Sequence, residues 1–325
     1  MNLMELRGVS VIFEDRGGGF FKRRRFYALK NVSLNIGEDD LILVLGESGA
    51  GKTTLGRVIV GLQKPTNGSV IYKGYDVWKQ KRKIYATYRR EVQLVPQDPY
   101  STLPYNKTVK EILEAPLKRW NKLSKQELEK RLVELLDMVR LSPPEDFLDK
   151  YPHQLSGGQR QRLNIARSLS VDPKLVVADE PVTMVDASLR LGLLNTLAEI
   201  KNKLHLSMVF ITHDIPTARY FYHLVKRGNT IVIFGGKVVE EGDLEELLSN
   251  PYHPYTKDLI NITPSIDNLY KEKPEVKINY ERVDFGCPYQ LRCPYVMDIC
   301  KKEEPQLIGT NSHRVACYLY GGQNR

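Results

Sequence analysis

Apolar and polar positions alternate along residues 2–36, where LMELRGVSVIF and FYALKNVSLNI bracket a turn-rich, basic stretch from Glu14 to Arg25 with three consecutive glycines. Period-two alternation on either side of such a stretch predicts an antiparallel hairpin. A short apolar run, Leu41 to Leu45, follows and reads as a buried strand, with a helix-compatible segment at 54–62 behind it. Residues 68–77 read as a further short strand pair. The pattern then turns helical. Thr108-x-x-Glu111 and Ser124-x-x-Glu127 match the capping box that satisfies the first free amides of a helix, and Leu128, Leu132, Leu135, Leu136 and Val139 recur at helical spacing behind the second. That stripe is packing, because one apolar face is what a surface helix buries.

Beta character returns in KLVVADE (174–180), SMVFITHD (207–214) and TIVIFGGKVVEEG (230–242), with helix-length segments at 157–170 and 187–204. Strands alternating with helices predict a mainly parallel sheet covered on both faces. The helical stretch 100–155 interrupts the alternation and reads as an inserted subdomain. Beyond about residue 250 prolines and tyrosines increase, so a second, smaller unit is expected there.

Three constellations carry chemistry. Gly46-Glu47-Ser48-Gly49-Ala50-Gly51-Lys52-Thr53 fits G-x-x-x-x-G-K-[ST] in strand–loop–helix context. Its glycines let backbone amides close around phosphates, aided by the partial positive charge of the helix start. Lys52 is expected to reach the β- and γ-phosphates and the Thr53 hydroxyl to ligate Mg²⁺, with Thr54 next in the loop. Asp179 and Glu180 end an apolar strand: Asp179 is placed to hold Mg²⁺, and Glu180, pointing to the other side of the chain, to polarise an attacking water. Ser156-Gly157-Gly158-Gln159 opens a helix and forms a second anion-binding helix start. One nucleotide cannot easily use two such ends of one subunit, which implies that a partner supplies one of them.

Composition narrows the class. The 325 residues are 42% hydrophobic and 27% charged, as in ordinary globular proteins. No run approaches the roughly 18–20 apolar residues of a membrane span, and the N-terminal residues lack the pattern of a secretion signal, so a cytoplasmic location is expected. The formal charge of +9 is concentrated in Lys22-Arg23-Arg24-Arg25 and between Lys79 and Arg90. No zinc-finger spacing or RNA-binding aromatic consensus accompanies it, so the bland reading, a loop tip and a solvated helix face, stands ahead of nucleic acid. All four cysteines, Cys287, Cys293, Cys300 and Cys317, fall in the last forty residues. Their spacing is not the C-x2-C of common zinc sites, and an iron–sulfur cluster, a zinc ion, or thiols and disulfides without metal all remain open.

Leu155-Ser156-Gly157-Gly158-Gln159, in order after the phosphate loop, resembles the ATP-binding cassette ATPases. The resemblance implies a P-loop α/β core with an antiparallel β subdomain, a helical subdomain at about 98–160, and a small cysteine-containing C-terminal extension. It also implies Tyr27 as the aromatic that stacks on adenine and Gln97, in VPQDP, as the residue that contacts metal and water and links to membrane subunits. Asp186 is implied at the dimer interface, and His213 of ITHD against the γ-phosphate. One departure is Thr183-Met184-Val185-Asp186, where the family usually has Ser-Ala-Leu-Asp. GESGAGKTTLGRVIVGLQKPTNG, YPHQLSGGQRQRLNIARSL and NPYHPYTKDLI are similar to the oligopeptide/dipeptide importer subfamily, and SGGQRQR with IARSL to the second of its two ATPase subunits. That subfamily implies a division at 1–248 and 249–325 and a four-iron cluster on the four cysteines. It further implies a second ATPase subunit, two integral membrane permease subunits and an extracytoplasmic solute-binding protein, with the chain at the cytoplasmic face of the membrane. The solute, peptide or sugar, is not readable from an ATPase that never touches it. The rival reading is a soluble cassette ATPase acting on ribosomes or nucleic acid.

Overall fold

A computed structural model describes residues 2–15, 24–121, 123–262, 283, 285–310 and 312–321. The basic turn singled out around Lys22 and Arg23 lies outside the described residues. Strands β1 (Asn2–Asp15) and β2 (Arg24–Gly37) pair antiparallel, as the alternation predicts. The chain then enters β3 (Leu41–Leu45), every residue of which is buried, and turns through the phosphate-loop sequence into α1 (Lys52–Ile59). Strands β4 (Asn67–Tyr72) and β5 (Tyr75–Asp76) return to the first sheet, completing the order β2-β1-β4-β5. Helix α2 (Arg82–Glu91) leads into β6 (Val92–Val95).

The helical block follows: α3 (Val109–Trp120), α4 (Lys125–Met138), α5 (Glu145–Leu148) and α6 (Gly157–Leu169). Both predicted capping boxes form, with Thr108 and Ser124 each accepting from the amide three residues on and the glutamate side chain bonding back. Leu128, Leu132, Leu135, Leu136 and Val139 are all buried. Strand β7 (Leu175–Asp179), α7 (Ala187–Leu204), β8 (Ser207–Thr212), α8 (Ile215–Val225), β9 (Asn229–Phe234) and β10 (Lys237–Gly242) restore the alternation. The remainder holds α9 (Leu244–Ser249), α10 (Pro254–Ile262), α11 (Asp298–Lys302), β11 (Ile308–Gly309) and β12 (His313–Val315).

The second sheet runs β11-β12-β10-β9-β3-β8-β7-β6, parallel from β9 through β6 and antiparallel beyond β9. Strand parity divides its side chains between two cores. Ile42, Val44, Val177, Val209, Ile211, Ile231 and Ile233 pack with Leu55, Val58 and Ile59 of α1 and with the antiparallel sheet. Leu41, Leu43, Leu45, Val176, Phe210 and Val232 face the opposite way, into the core shared with α3, α4, α6, α7 and α8. The C-terminal segment is part of this body, because β12 pairs with β10 in register Glu240↔Val315 to Gly242↔His313.

Candidate functional site

The loop runs from the end of β3 at Leu45 to the start of α1 at Lys52, and two glycines allow its turns. Gly46 has φ 153 and a Cβ there would lie 2.3 Å from the Ile233 carbonyl oxygen; Gly51 has φ 111 and a Cβ would meet the Ala28 carbonyl oxygen at 2.5 Å. Any other residue would clash with backbone that cannot yield. Lys52, at the start of α1, is buried at 4% exposure, and its Nζ donates to the carbonyls of Gly46 (2.7 Å) and Glu47 (2.9 Å). Burial lowers its ammonium pKa, opposed by the charges of Glu180, Asp179 and Glu47.

Next to the loop lies a cavity of about 430 Å³ lined by Ser48, Gly49, Gly51, Lys52, Thr53 and Thr54, together with Phe13, Phe26, Ala28, Gln97, Glu180, Thr183 and His213. Thr53 hydrogen-bonds Asp179, whose carboxyl pKa is raised mainly by burial. Asp179 Oδ1 is buried with no hydrogen-bond partner among the described residues. A buried carboxylate oxygen without a partner is costly, and beside a threonine hydroxyl it is the donor set of a Mg²⁺ site. These residues fit the ion.

Glu180 is the hub of the cavity. It leaves β7 at φ 46, a left-handed conformation, so strand alternation no longer sets its direction. Such a backbone costs roughly 1–3 kcal/mol for a non-glycine residue and persists where its surroundings hold it. The Glu180 amide donates to the Ile211 carbonyl at 2.9 Å. Its Oε2 accepts from Gln97 Nε2 at 3.0 Å and from the Thr183 hydroxyl at 3.2 Å, while Oε1 lies 3.0 Å from His213 Nδ1 and 3.9 Å from Lys52 Nζ. Four elements of sequence thus meet on one carboxylate. Thr183 was not foreseen as a contact; its place in the departure from Ser-Ala-Leu-Asp was the available signal.

The expected adenine aromatic and the cavity part company in the structure. Tyr27 does not line the cavity. It pairs with Ile12 and is 38% exposed, with Lys30 Nζ 5.0 Å from its ring centre. Phe13 and Phe26 line the cavity instead, opposite each other in the β1–β2 register with ring centres 5.9 Å apart in an edge-to-face arrangement. Adjacent strand residues face opposite sides, so Phe26 and Tyr27 present their rings to different faces of β2.

Ser156, Gly157, Gly158 and Gln159 do not reach this cavity. They form the capped start of α6: Ser156 Oγ accepts from the Gln159 amide at 3.2 Å, and Gln159 Oε1 accepts from the Ser156 amide at 2.9 Å. Asp186, exposed, stands just before α7 without a side-chain cap bond, and Met184 and Leu189 of the same stretch, 52% and 48% exposed, lie close to Gly157 and Gly158.

The four cysteines carry free thiols and line one small cavity of about 10 Å³. The Cys287 amide donates to the Cys300 carbonyl at 2.7 Å. Burial pushes the Cys287 thiol up to about 12 and raises those of Cys293 and Cys317. Four thiols facing one space is the donor chemistry of an iron–sulfur cluster. The spacing does not fit as it stands: that volume suits about one water, and among the described residues no three His, Cys, Asp or Glu stand close enough to hold a metal.

Residues 29–183 match the family model described as "ABC transporter", and residues 239–300 the one described as "Oligopeptide/dipeptide transporter, C-terminal region". The chain is 36% identical to the dipeptide transport ATP-binding protein DppF of Haemophilus influenzae, covering 97% of this chain and 96% of that one. It belongs to the ABC transporter ATP-binding proteins. Within that family it is also 35% identical to the oligopeptide transport ATP-binding protein AppF of Bacillus subtilis, covering 98% of this chain and 97% of the other. Among solved structures, the ATP-binding cassette MJ0796, a dimer in a post-hydrolysis state bound to ADP and Pi, aligns with a TM-score of 0.64 and 32% identity. That alignment covers 74% of this chain and 98% of MJ0796. The expected P-loop α/β class and the resemblance to oligopeptide/dipeptide transporter ATPases are therefore both borne out. As an ABC ATPase, the chain is an ATP-hydrolysing enzyme; the full-length relatives are transport subunits, and nothing favours the ribosome or nucleic-acid alternative. Among the described residues no helix is long and apolar enough to cross a membrane.

Proposed function

We propose that this chain is the ATPase subunit of a membrane importer for dipeptides or oligopeptides, residues 1–248 forming the cassette and 249–325 the extension. The observation that carries the reading is the convergence of Lys52, Gln97, Thr183 and His213 on Glu180, beside a buried, unpartnered oxygen of Asp179. The substrate phosphates of ATP lie against the loop amides and Lys52, with the purine edge toward Phe13 and Phe26. Thr53 and Asp179, with Gln97, hold Mg²⁺, whose charge neutralises the phosphate oxygens. Glu180 orients the attacking water and accepts its proton. His213 and Gln97 fix the two oxygens of that carboxylate, so little reorganisation accompanies the transfer.

Two copies, or this chain and a related ATPase subunit, pair head to tail, with Ser156–Gln159 of each closing over the other's nucleotide. The exposure of Ser156, Met184, Asp186 and Leu189 on one side supports this pairing. A second cavity, about 700 Å³, opens where α2, α3 and α6 meet. It is lined by Arg82, Arg89, Arg119 and Arg167 with Pro116, Trp120 and Pro96, the last one residue from Gln97. Its charge and its nearness to Gln97 suit a permease helix, which would carry the motion into the membrane and hold this chain at the cytoplasmic face. An extracytoplasmic binding protein delivers the solute in this scheme. In the same reading a [4Fe–4S] cluster on the four cysteines would have a structural role and would require a wider cavity than the one they line. Iron and sulfide analysis of anaerobically purified protein tests that, and metal-free folded protein sinks it.

The transport reading is tested on the complex purified from native membranes with its binding protein. ATPase stimulation by peptides supports it; stimulation by oligosaccharides reassigns the solute, and stimulation by neither removes the importer.

A further inference from the structure

The second residue of the phosphate loop faces away from the nucleotide cavity. Glu47 is absent from the lining that includes Ser48, Gly49 and Gly51 through Thr54. Its carboxylate is instead gripped from the C-terminal extension, 245 residues away, where Arg292 Nη1 donates to both oxygens at 3.0 and 2.9 Å. Arg292 is only 9% exposed, and its guanidinium lies 5.4 Å from the Phe234 ring centre and 5.3 Å from that of Tyr289. Packed against two rings, it has little freedom to follow a moving partner. The Glu47 amide is held as well, donating to the Tyr255 hydroxyl at 2.7 Å, and Tyr255 is buried at 1% exposure. On its other side the Glu47 carbonyl accepts from Lys52 Nζ.

One loop residue is therefore fixed at its carboxylate, its amide and its carbonyl, twice by the extension and once by the phosphate-binding lysine. The ordinary alternative is that Arg292 merely glues the extension down. Against it, the extension has separate anchors elsewhere: β12 pairs with β10, and Glu304 bonds both Lys30 and Lys237. Docking does not need the loop. We infer that Arg292 and Tyr255 are positioning residues that set the shape of the phosphate-binding loop, so that the extension tunes nucleotide affinity in its own subunit. The inference rests on the reading of this loop as the ATP site.

The test is binding of a fluorescent ADP analogue with Mg²⁺, and steady-state ATPase, on the purified complex. Arg292→Gln, Glu47→Gln, the double variant and Arg292→Lys are compared with the parent, thermal melting confirming that each is folded. Losing a charged contact that holds the loop is expected to weaken binding by roughly tenfold. The expected pattern is that loss in each single variant, a similar loss in the double variant, partial recovery in Arg292→Lys, and, in the Arg292 single variants, kcat at saturating ATP within about twofold of the parent. Where Arg292→Gln fails to fold, Tyr255→Phe, which removes one hydroxyl, is expected to show the same KM-selective loss. Unchanged affinity in the single variants, or strictly additive losses, overturns the inference. A parent complex that binds no nucleotide overturns the ATP-site reading instead.

Discussion

Glu180 Oε1 and His213 Nδ1 lie 3.0 Å apart, at the ends of two neighbouring parallel strands. The contact joins a carboxylate at the end of β7 to an imidazole just past the end of β8, with Gln97 on the carboxylate's other oxygen. A base held at both oxygens has its direction fixed by the segments that follow three neighbouring strands, β6, β7 and β8.

Glu180→Gln keeps the shape and removes the base. The ATPase rate is expected to fall by about 10²–10⁴, the usual contribution of a positioned general base, while ATP binding persists and closed dimers accumulate. Turnover with size-exclusion chromatography in MgATP checks both halves; an undiminished rate removes Glu180 as the base.

His213→Ala leaves Glu180 in place with one partner fewer. Because the two act on one proton transfer, their effects should not add. The double variant His213→Ala/Glu180→Gln is expected to be no slower than Glu180→Gln alone, within about threefold. A multiplicative loss in single-turnover rate would mean that His213 works on its own.

The two aromatic positions separate two outcomes. Phe13→Ala removes a ring from the cavity and should raise the KM for ATP by about tenfold, a stacked base being worth ~1–3 kcal/mol. Tyr27→Ala should leave KM unchanged. The reverse result would restore Tyr27 as the adenine platform.

Asp39 predicts an acid-sensitive joint. Burial alone would raise its carboxyl pKa, but Lys201, His205 and Arg227 hold it well below the usual carboxylate range. Lys201, 0% exposed, donates to Asp39 Oδ1 at 2.8 Å. A carboxyl depressed by folding contributes stability above its unfolded value of about 3.9 and loses it as pH falls through the folded value. Asp39→Asn should therefore lower the melting temperature at pH 7 and flatten its decline below about pH 4. Parallel acid melting curves for parent and variant would refute this.

Leu132, 1% exposed in α4, lies in the helical block rather than the catalytic sheet. Leu132→Ala should cost about 2–5 kcal/mol, read by denaturant unfolding. A cost below about 1 kcal/mol would mean that the block is not packed as described.

Most of this architecture was legible because its determinants are local. Alternation gave the β1–β2 hairpin, capping residues gave α3 and α4, and buried strands ending in Asp179 and ITHD gave the catalytic edge. What escaped was parity and distance. Phe26 and Tyr27 are equally aromatic, and only the register opposite Phe13 shows which faces the cavity. The Arg292–Glu47 pair joins residues 245 apart, and no spacing rule reports a contact made by folding the tail across the loop. Glu180 lay between these cases: its identity was readable, but its left-handed backbone, and with it the contact to Thr183, was not.

The short strand that β10 receives from the C-terminus has a consequence for solubility. Without β12 and β11, the main-chain donors and acceptors of β10 would form an open, unsatisfied border at one limit of the sheet, ready to recruit the same strand from another molecule. The tail is thus also a guard against edge-to-edge aggregation. A chain cut near residue 250 would be expected to self-associate even though its nucleotide-contacting residues are intact.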